Sequence, residues 1–154
     1  MIEFFVAGIP GPRGSKKAFP FKRKNGTIGV AVSDANPKSR DWMNLVSTAA
    51  TEAMQGREPF REPVALELSF VMPRLKGHYG TGKNASVLKP SAPKWHSVKP
   101  DALKLARGTE DALTGIVFAD DALVARESFE KAYGNKPGVY VRVFPLTTIQ
   151  RSLL

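Results

Sequence analysis

The sequence predicts a single α+β domain, over residues 1–154, with a mixed sheet of about five strands and two helices. The chain has 154 residues, and 42% of them are apolar, which is enough for one domain with its own core. Five short stretches have the composition or alternation of strands, and two longer stretches have helical spacing. No internal repeat or linker divides the chain, so one domain is expected.

The predicted strands are short and bounded by turn residues. The stretch 63–72 alternates most clearly, with Glu67 and Ser69 on one face and leucine and phenylalanine on the other. The last two strands are joined by a glycine-rich and proline-containing turn at 134–138. The five predicted strands cover residues 2–7, 27–32, 63–72, 122–132 and 138–144.

The first predicted helix follows Asn36 and Pro37, because asparagine caps a helix and proline suits its first position. Apolar residues then recur at helical spacing from Trp42 to Met54, and Gly56 ends the segment.

The second predicted helix follows Lys99 and Pro100, since proline biases the residue before it away from helical conformation. Asp101 can cap this helix, which is expected to reach about Thr114 and to end at Gly115.

The composition excludes several classes of protein. The chain has no cysteine, which excludes disulfides, thiolate zinc sites and a cysteine nucleophile, and suits a reducing cytoplasm. The first apolar stretch is too short for a signal peptide or a membrane span. We therefore expect a cytoplasmic protein that does not associate with membranes.

The charge favours a nucleic-acid partner. The formal net charge is +9, and a surplus of this size attracts polyanions. Basic residues occupy two stretches without acids, which predict basic loops at 10–26 and 73–99; the alternative for each is an ordinary solvated surface. His78 and His96 of the second loop are expected to face DNA or solvent. The candidate DNA-binding residues are Arg13, Lys16, Lys17, Lys22, Arg23, Lys24, Arg74, Lys76, Lys94, Lys99 and Lys104.

The acids are concentrated elsewhere: seven of fourteen carboxylates lie between Asp101 and Glu130. Such clustering costs stability unless cations or hydrogen bonds offset it, which indicates a divalent-ion site. The structural alternative assigns these residues to a helix cap, surface ion pairs with Arg107, and a turn at Asp120 and Asp121.

The stretch KPDALKLARGTEDALTGIVFADDALV, residues 99–124, resembles the RusA family of Holliday-junction resolvases. That family has Lys-Pro-Asp, then Asp-Asn-Leu and a basic residue, then Asp-Ala-Leu-x-Gly, and finally Asp-Asp before a strand. Arg107 stands where the family has its lysine. The matching residues are Lys99, Pro100, Asp101, Leu105, Asp111, Ala112, Leu113, Gly115, Asp120 and Asp121.

The resemblance implies a RusA-like fold and a magnesium-dependent homodimer that cuts four-way DNA junctions symmetrically. Magnesium held by carboxylates supplies a nucleophilic water and stabilises charge on the phosphate, with manganese as the alternative ion. A nearby cation can contact the scissile phosphate. The candidate catalytic residues are Asp101, Arg107, Glu110, Asp111 and Asp121, and the candidate metal ligands are Asp101, Glu110, Asp111, Asp120 and Asp121.

One departure from the family pattern is the absence of its second aspartate, whose position is taken by Leu103, followed by Lys104. We expect Glu110 with Asp111 to make good the missing acid, although Glu110 lies about 10 Å further along the helix axis than Leu103. The alternative is a relative that binds junctions or DNA but has lost the metal centre. A third possibility, an RNA-binding structural protein, rests on charge alone.

Overall fold

A computed structural model of the chain shows an α+β fold with two α-helices, a four-stranded mixed sheet and a separate two-stranded hairpin. The structure describes residues 1–14, 16–34 and 36–146, and it describes only the backbone of Lys16, Ser33 and Asp34. The predicted fold class is confirmed. The strands are β1 (Ile2–Ala7), β2 (Lys16–Lys22), β3 (Ile28–Asp34), β4 (Val64–Pro73), β5 (Val124–Gly134) and β6 (Gly138–Pro145), and the helices are α1 (Pro37–Met54) and α2 (Ala102–Leu113).

The topology of the larger sheet places α2 beside an edge strand. The strand order is β1-β6-β4-β5; β6 is antiparallel to both of its neighbours, whereas β4 and β5 are parallel. Parallel strands need a long crossover connection, and here the crossover contains the second basic stretch and α2. The acids of α2 and those of the β5 edge are therefore brought to the same side of the molecule.

The core lies between the two helices and one face of the sheet. Strand β4 alternates as predicted: Leu66 and Phe70 are buried in the core, while Glu67 lies on the opposite face and pairs with arginines. Trp42 of α1 donates a hydrogen bond from Nε1 to Oγ1 of Thr109 in α2, at 3.2 Å. This buried bond fixes one helix against the other, because breaking it would leave polar groups unsatisfied in the core.

Helix α1 begins and ends as the sequence predicts. Oδ1 of Asn36 accepts a hydrogen bond from the backbone N–H of Lys38 at 3.1 Å, and Pro37 is the first helical residue. At the other end, Gln55 and Gly56 have φ angles of 49° and 76°, in the left-handed region that terminates helices.

Helix α2 covers the expected residues, but Asp101 does not cap it. Asp101 directly precedes the first helical residue, yet its side chain makes no capping hydrogen bond. Gly115, with a φ of 81°, follows the helix end at Thr114. The expectation that Asp101 is a helix cap is wrong, and its carboxylate is available for another role.

The first basic stretch is ordered over most of its length, so the prediction of a loop over 10–26 is wrong for Lys16–Lys22. This segment forms β2 and pairs with β3, with a tight turn between Arg23 and Thr27. The cations and Pro20 in KKAFPFK obscured a strand that is an edge of a two-stranded sheet, where proline is tolerated. The hairpin exposes large apolar side chains from both of its strands: Phe19, Phe21, Ile28, Val30 and Val32.

The segment before the hairpin is fixed between the two helices. A Cβ on Gly11 would lie 2.7 Å from the carbonyl oxygen of Lys38, so only glycine permits this close approach to α1. Two residues later, the N–H of Arg13 donates to the carbonyl oxygen of Lys104 in α2 at 3.0 Å. Arg13 therefore belongs to the folded body.

The second basic stretch is anchored on β5. Trp95 forms a bridge with Ala132, and the N–H of Tyr133 donates to the carbonyl oxygen of Lys94 at 2.9 Å. His96 is 7% exposed and packs against the Tyr133 ring, so the prediction that this histidine faces DNA or solvent is wrong. Within the part of the chain that the structure describes, no helix is long and apolar enough to span a membrane.

Candidate active site

The centre of the acidic region is a pair of glutamates that join α2 to β5. Glu110 lies in the last turns of α2, and Glu127 lies near the start of β5. Burial, the charge of Glu127 and the hydrogen bond to it raise the pKa of Glu110 to about 7, and the charges of Asp121 and Asp111 act in the same direction. Burial also raises the pKa of Glu127, while the hydrogen bond from Glu110 opposes that rise. Burial thus disfavours the ionised form of both carboxyl groups, and the two glutamates are close enough to interact directly across the gap between α2 and β5.

The two aspartates before β5 have different environments. Oδ1 of Asp120 accepts a hydrogen bond from the N–H of Ala122 at 2.8 Å and caps the single-turn 3-10 helix Asp121–Leu123. Asp121 is close enough to Glu110 for its charge to raise the pKa of that carboxyl. Asp120 thus has a turn role, whereas Asp121 belongs with the glutamate pair.

Asp111 connects the acids to the first basic stretch. Its Oδ2 lies 2.6 Å from Nη1 of Arg13, and both side chains are largely buried, at 32% and 20% exposure. An ion pair of this geometry is charge-assisted and holds both partners in place. Asp111 therefore has a fixed cationic partner as well as a charge that acts on Glu110.

Asp101 lies at the opposite end of α2 from Glu110. Nine residues separate them, which corresponds to about 13 Å along the helix axis. Nζ of Lys104 lies 3.8 Å from Oδ2 of Asp101, and these two residues line a surface cavity with Arg13 and Lys99. Magnesium–oxygen bonds are about 2.1 Å long, so Asp101 and Glu110 are too far apart to hold one ion together.

The outer face of α2 also carries Leu103 and Arg107, at helical spacing from Glu110. Leu103 is 65% exposed, and Arg107 is exposed and forms no ion pair with any residue that the structure describes. The alternative in which Arg107 pairs with Glu110 or Asp111 is therefore not observed. On this face the acid expected at 103 is absent, and an acid stands two turns later at 110.

The candidate DNA-binding residues fall into three groups. Arg13, Lys99 and Lys104 surround the cavity beside Asp101. Lys94 and Arg74 lie over the rings of Trp95 and Tyr133, and Lys76 is exposed in the same stretch. The side chain of Lys16 lies outside the described residues, and the exposed cations of the hairpin are Lys17, Lys22, Arg23 and Lys24.

Glu127 is the acid that the sequence interpretation missed. The signal was its parity with Phe129, which packs against the core, because alternate residues of a strand share a face. Glu127 therefore lies on the side of β5 that faces α2. The sequence alone did not reveal that α2 covers this strand, so Glu127 was not recognised as a candidate.

The acids are close but do not form a closed metal shell. Among the described residues, no group of three or more histidine, aspartate or glutamate side chains is arranged to hold a metal ion. The raised pKa of Glu110 indicates that protonation of this carboxyl relieves part of the repulsion in the cluster.

A small, strongly basic α+β domain with cations around a surface cavity has the features of a nucleic-acid-binding protein. The model of the family Endodeoxyribonuclease RusA matches residues 11–144, and the chain therefore belongs to the RusA family of Holliday-junction-resolving endonucleases. No curated protein matches the chain in a sequence comparison. The match confirms the resemblance drawn from residues 99–124 and extends it over both helices and most of the sheet.

Proposed function

We propose that this protein is a structure-selective endonuclease that cleaves Holliday junctions or other branched DNA by magnesium-dependent hydrolysis, in recombination and repair. It would act on DNA in the cytoplasm as a homodimer. The observation that carries the proposal is the cluster of Glu110, Glu127 and Asp121 in a member of the RusA family.

The donor set of this cluster suits a hard divalent cation. Magnesium prefers carboxylate oxygens, and the charges of Glu127 and Asp121 help to raise the pKa of Glu110, so a cation bound among these acids would relieve their repulsion. We assign the ion to Glu110, Glu127 and Asp121, with manganese as a substitute; the three side chains would have to draw together around it, since they are not arranged as a metal shell without the ion. This set replaces the acid missing at Leu103 with two acids from further along the structure.

When bound, magnesium would activate a water molecule and stabilise negative charge on the phosphate. The chain's own contribution would begin with Glu110, whose carboxyl group would release its proton to solvent before its oxygens could hold the ion beside Glu127. Arg107, exposed on the same helix face and without a described carboxylate partner, contacts the scissile phosphate.

The cavity beside Asp101 provides the neighbouring phosphate-binding surface. Lys99 and Lys104 supply its cations, and Arg13 connects it to the acidic cluster through Asp111. Asp101 forms only a loose, exposed ion pair with Lys104, and it offers a second acidic position for catalysis at this end of the helix. Asp111 acts mainly by fixing Arg13, and Asp120 acts by shaping the turn that presents Asp121.

The alternative is a relative that binds junctions without cutting them. Leu103 favours this alternative, since an exposed leucine has replaced a family carboxylate. In the active enzyme that we propose, Glu110 and Glu127 serve as metal ligands in place of the carboxylate that is absent at Leu103.

Cleavage of a synthetic four-way junction separates these functions. We expect the protein to cut the junction in the presence of magnesium, to leave it intact with a chelator, and to leave a linear duplex of the same sequence uncut. Tight junction binding without cleavage at any magnesium or manganese concentration would establish the binding-only alternative. Preference for structured RNA over the junction would contradict both.

A further inference from the structure

Lys131 of β5 donates two hydrogen bonds to the backbone immediately before Asp101. Its Nζ lies 2.6 Å from the carbonyl oxygen of Val98 and 2.6 Å from that of Pro100. Hydrogen bonds from an ammonium group are stronger than those between neutral groups, and two of them to alternate carbonyls restrict the backbone between them. The ammonium forms no ion pair with any carboxylate among the described residues.

The position of Lys131 on β5 relates it to the acidic cluster. Lys131 and Glu127 are four residues apart on one strand, so they share the helix-facing side and lie about 13 Å apart. Asp101 and Glu110 are about 13 Å apart along α2. Strand β5 therefore contacts both ends of the helix, through Glu127 at Glu110 and through Lys131 at the residues that precede Asp101.

Residues 97–100, the corner between the segment paired with β5 and the start of α2, are linked to β5 by the side chain of Lys131. Backbone pairing with β5 holds the chain at Lys94, Trp95 and His96, and α2 begins at Ala102. Between these points, the hydrogen bonds that join residues 97–100 to β5 in the described part of the chain are the two from Nζ of Lys131. The cavity cations Lys99 and Lys104 flank the same corner.

We propose that Lys131 is a positioning residue of the active site, which fixes the Val98–Pro100 corner and so sets where Asp101 and Lys99 stand relative to the scissile phosphate. This inference rests on the proposed function. A displacement of about 1 Å at a catalytic group lowers a rate about 100-fold, so loss of the two bonds should affect the rate of cleavage more than the affinity for DNA.

The test compares Lys131→Met with Lys131→Arg, which retains a cation able to donate to both carbonyls. Arg126→Met is the control, since Arg126 lies on the same strand but pairs with Glu67 on the opposite face. We expect Lys131→Met to lower kcat about 100-fold with junction Kd changed less than about threefold, and Lys131→Arg to restore most of the rate. In an Asp101→Asn background, Lys131→Met should cause little further loss, because the lysine acts through that corner.

Full additivity of the two substitutions, or equal losses in the methionine and arginine variants, would overturn the positioning role. Hydrogen exchange at the amides of residues 97–102 reports on it independently of activity: Lys131→Met should accelerate exchange there and Arg126→Met should not. If the parent protein binds junctions without cutting them, the proposed function fails, and the exchange measurement then decides on Lys131. Unchanged exchange would contradict the inference.

Discussion

At the scale of single residues, Leu103 stands where the RusA pattern has an aspartate, and we propose that Glu110 and its partner on β5, Glu127, supply the acid instead. A carboxylate forced to ionise in a half-buried, acidic setting destabilises the fold in the absence of a cation. The raised pKa of Glu110 is therefore a measure of what magnesium would relieve at this position.

The free-energy cost of ionising Glu110 in the folded protein predicts how the stability of the metal-free protein changes with pH. The pKa of Glu110 is about 7 in the folded state and lies near 4.3 in the unfolded chain, so folding binds a proton between these values. The contribution of this group to stability is therefore greatest below about pH 4.5 and is lost as pH rises through 7. Glu110→Gln should stabilise the metal-free protein at pH 8 by about 1 kcal/mol, after allowance for solvent screening, and should have little effect at pH 4.5.

Thermal unfolding in a chelating buffer at the two pH values measures this difference. Magnesium should reduce the stability difference between Glu110→Gln and the parent protein at pH 8, because the ion stabilises only the protein that retains the carboxylate. A variant less stable than the parent at pH 8 would show that ionised Glu110 stabilises the metal-free fold.

The sequence predicted most residues of the cluster but not their partners. Asp121 was recognised from the family resemblance, and Glu110 from the local clustering of acids and its helical spacing from Leu103, neither of which requires a tertiary structure. Glu127 and Lys131 act across the gap between a strand and a helix, and the Arg13–Asp111 pair joins residues 98 positions apart. The contacts of Glu127 and Lys131 depend on the parallel β4–β5 topology, and the Arg13–Asp111 pair depends on how the segment after β1 lies against α2; no local pattern specifies either arrangement.

At the scale of secondary-structure elements, the largest difference from expectation is the β2–β3 hairpin. An isolated hairpin is only marginally stable in water, and this one exposes apolar side chains from both strands together with cations at its turn. Two-stranded ribbons of this kind can enter a DNA groove. The helices and the other strands were predicted to within a few residues, because caps, glycines and apolar spacing all agreed there.

The hairpin should supply electrostatic affinity for DNA. Neutralising its exposed cations Lys17, Lys22, Arg23 and Lys24 with glutamine should weaken junction binding and reduce the slope of log Kd against log salt by up to about four, since each phosphate contact contributes close to one. The control replaces Arg57, Arg61 and Lys136 with glutamine, since these cations lie outside the hairpin, the cavity beside Asp101 and the acidic cluster. Equal affinity and an unchanged slope in the hairpin variant would exclude it as a DNA contact.

At the scale of the whole molecule, one chain carries one acidic cluster, whereas symmetric resolution of a junction needs two cuts related by a dyad. We therefore predict a C2 homodimer, in which each protomer cuts one strand. Sedimentation analysis at micromolar concentration should show a dimer, both free and on junction DNA. A monomer under both conditions would remove the basis for paired cutting.

The direct test of the account is the rate of magnesium-dependent junction cleavage by Glu110→Gln and Glu127→Gln, beside the control Glu130→Gln. Glu130 lies on the same strand as Glu127 but contacts Ser69 on the other face of the sheet. At saturating magnesium, we predict that the first two variants cut the four-way junction at least about 100-fold more slowly with junction affinity retained, and that the control cuts like the parent. Parent-like cleavage by Glu110→Gln and Glu127→Gln would contradict the central claim that these two glutamates replace the acid absent at Leu103.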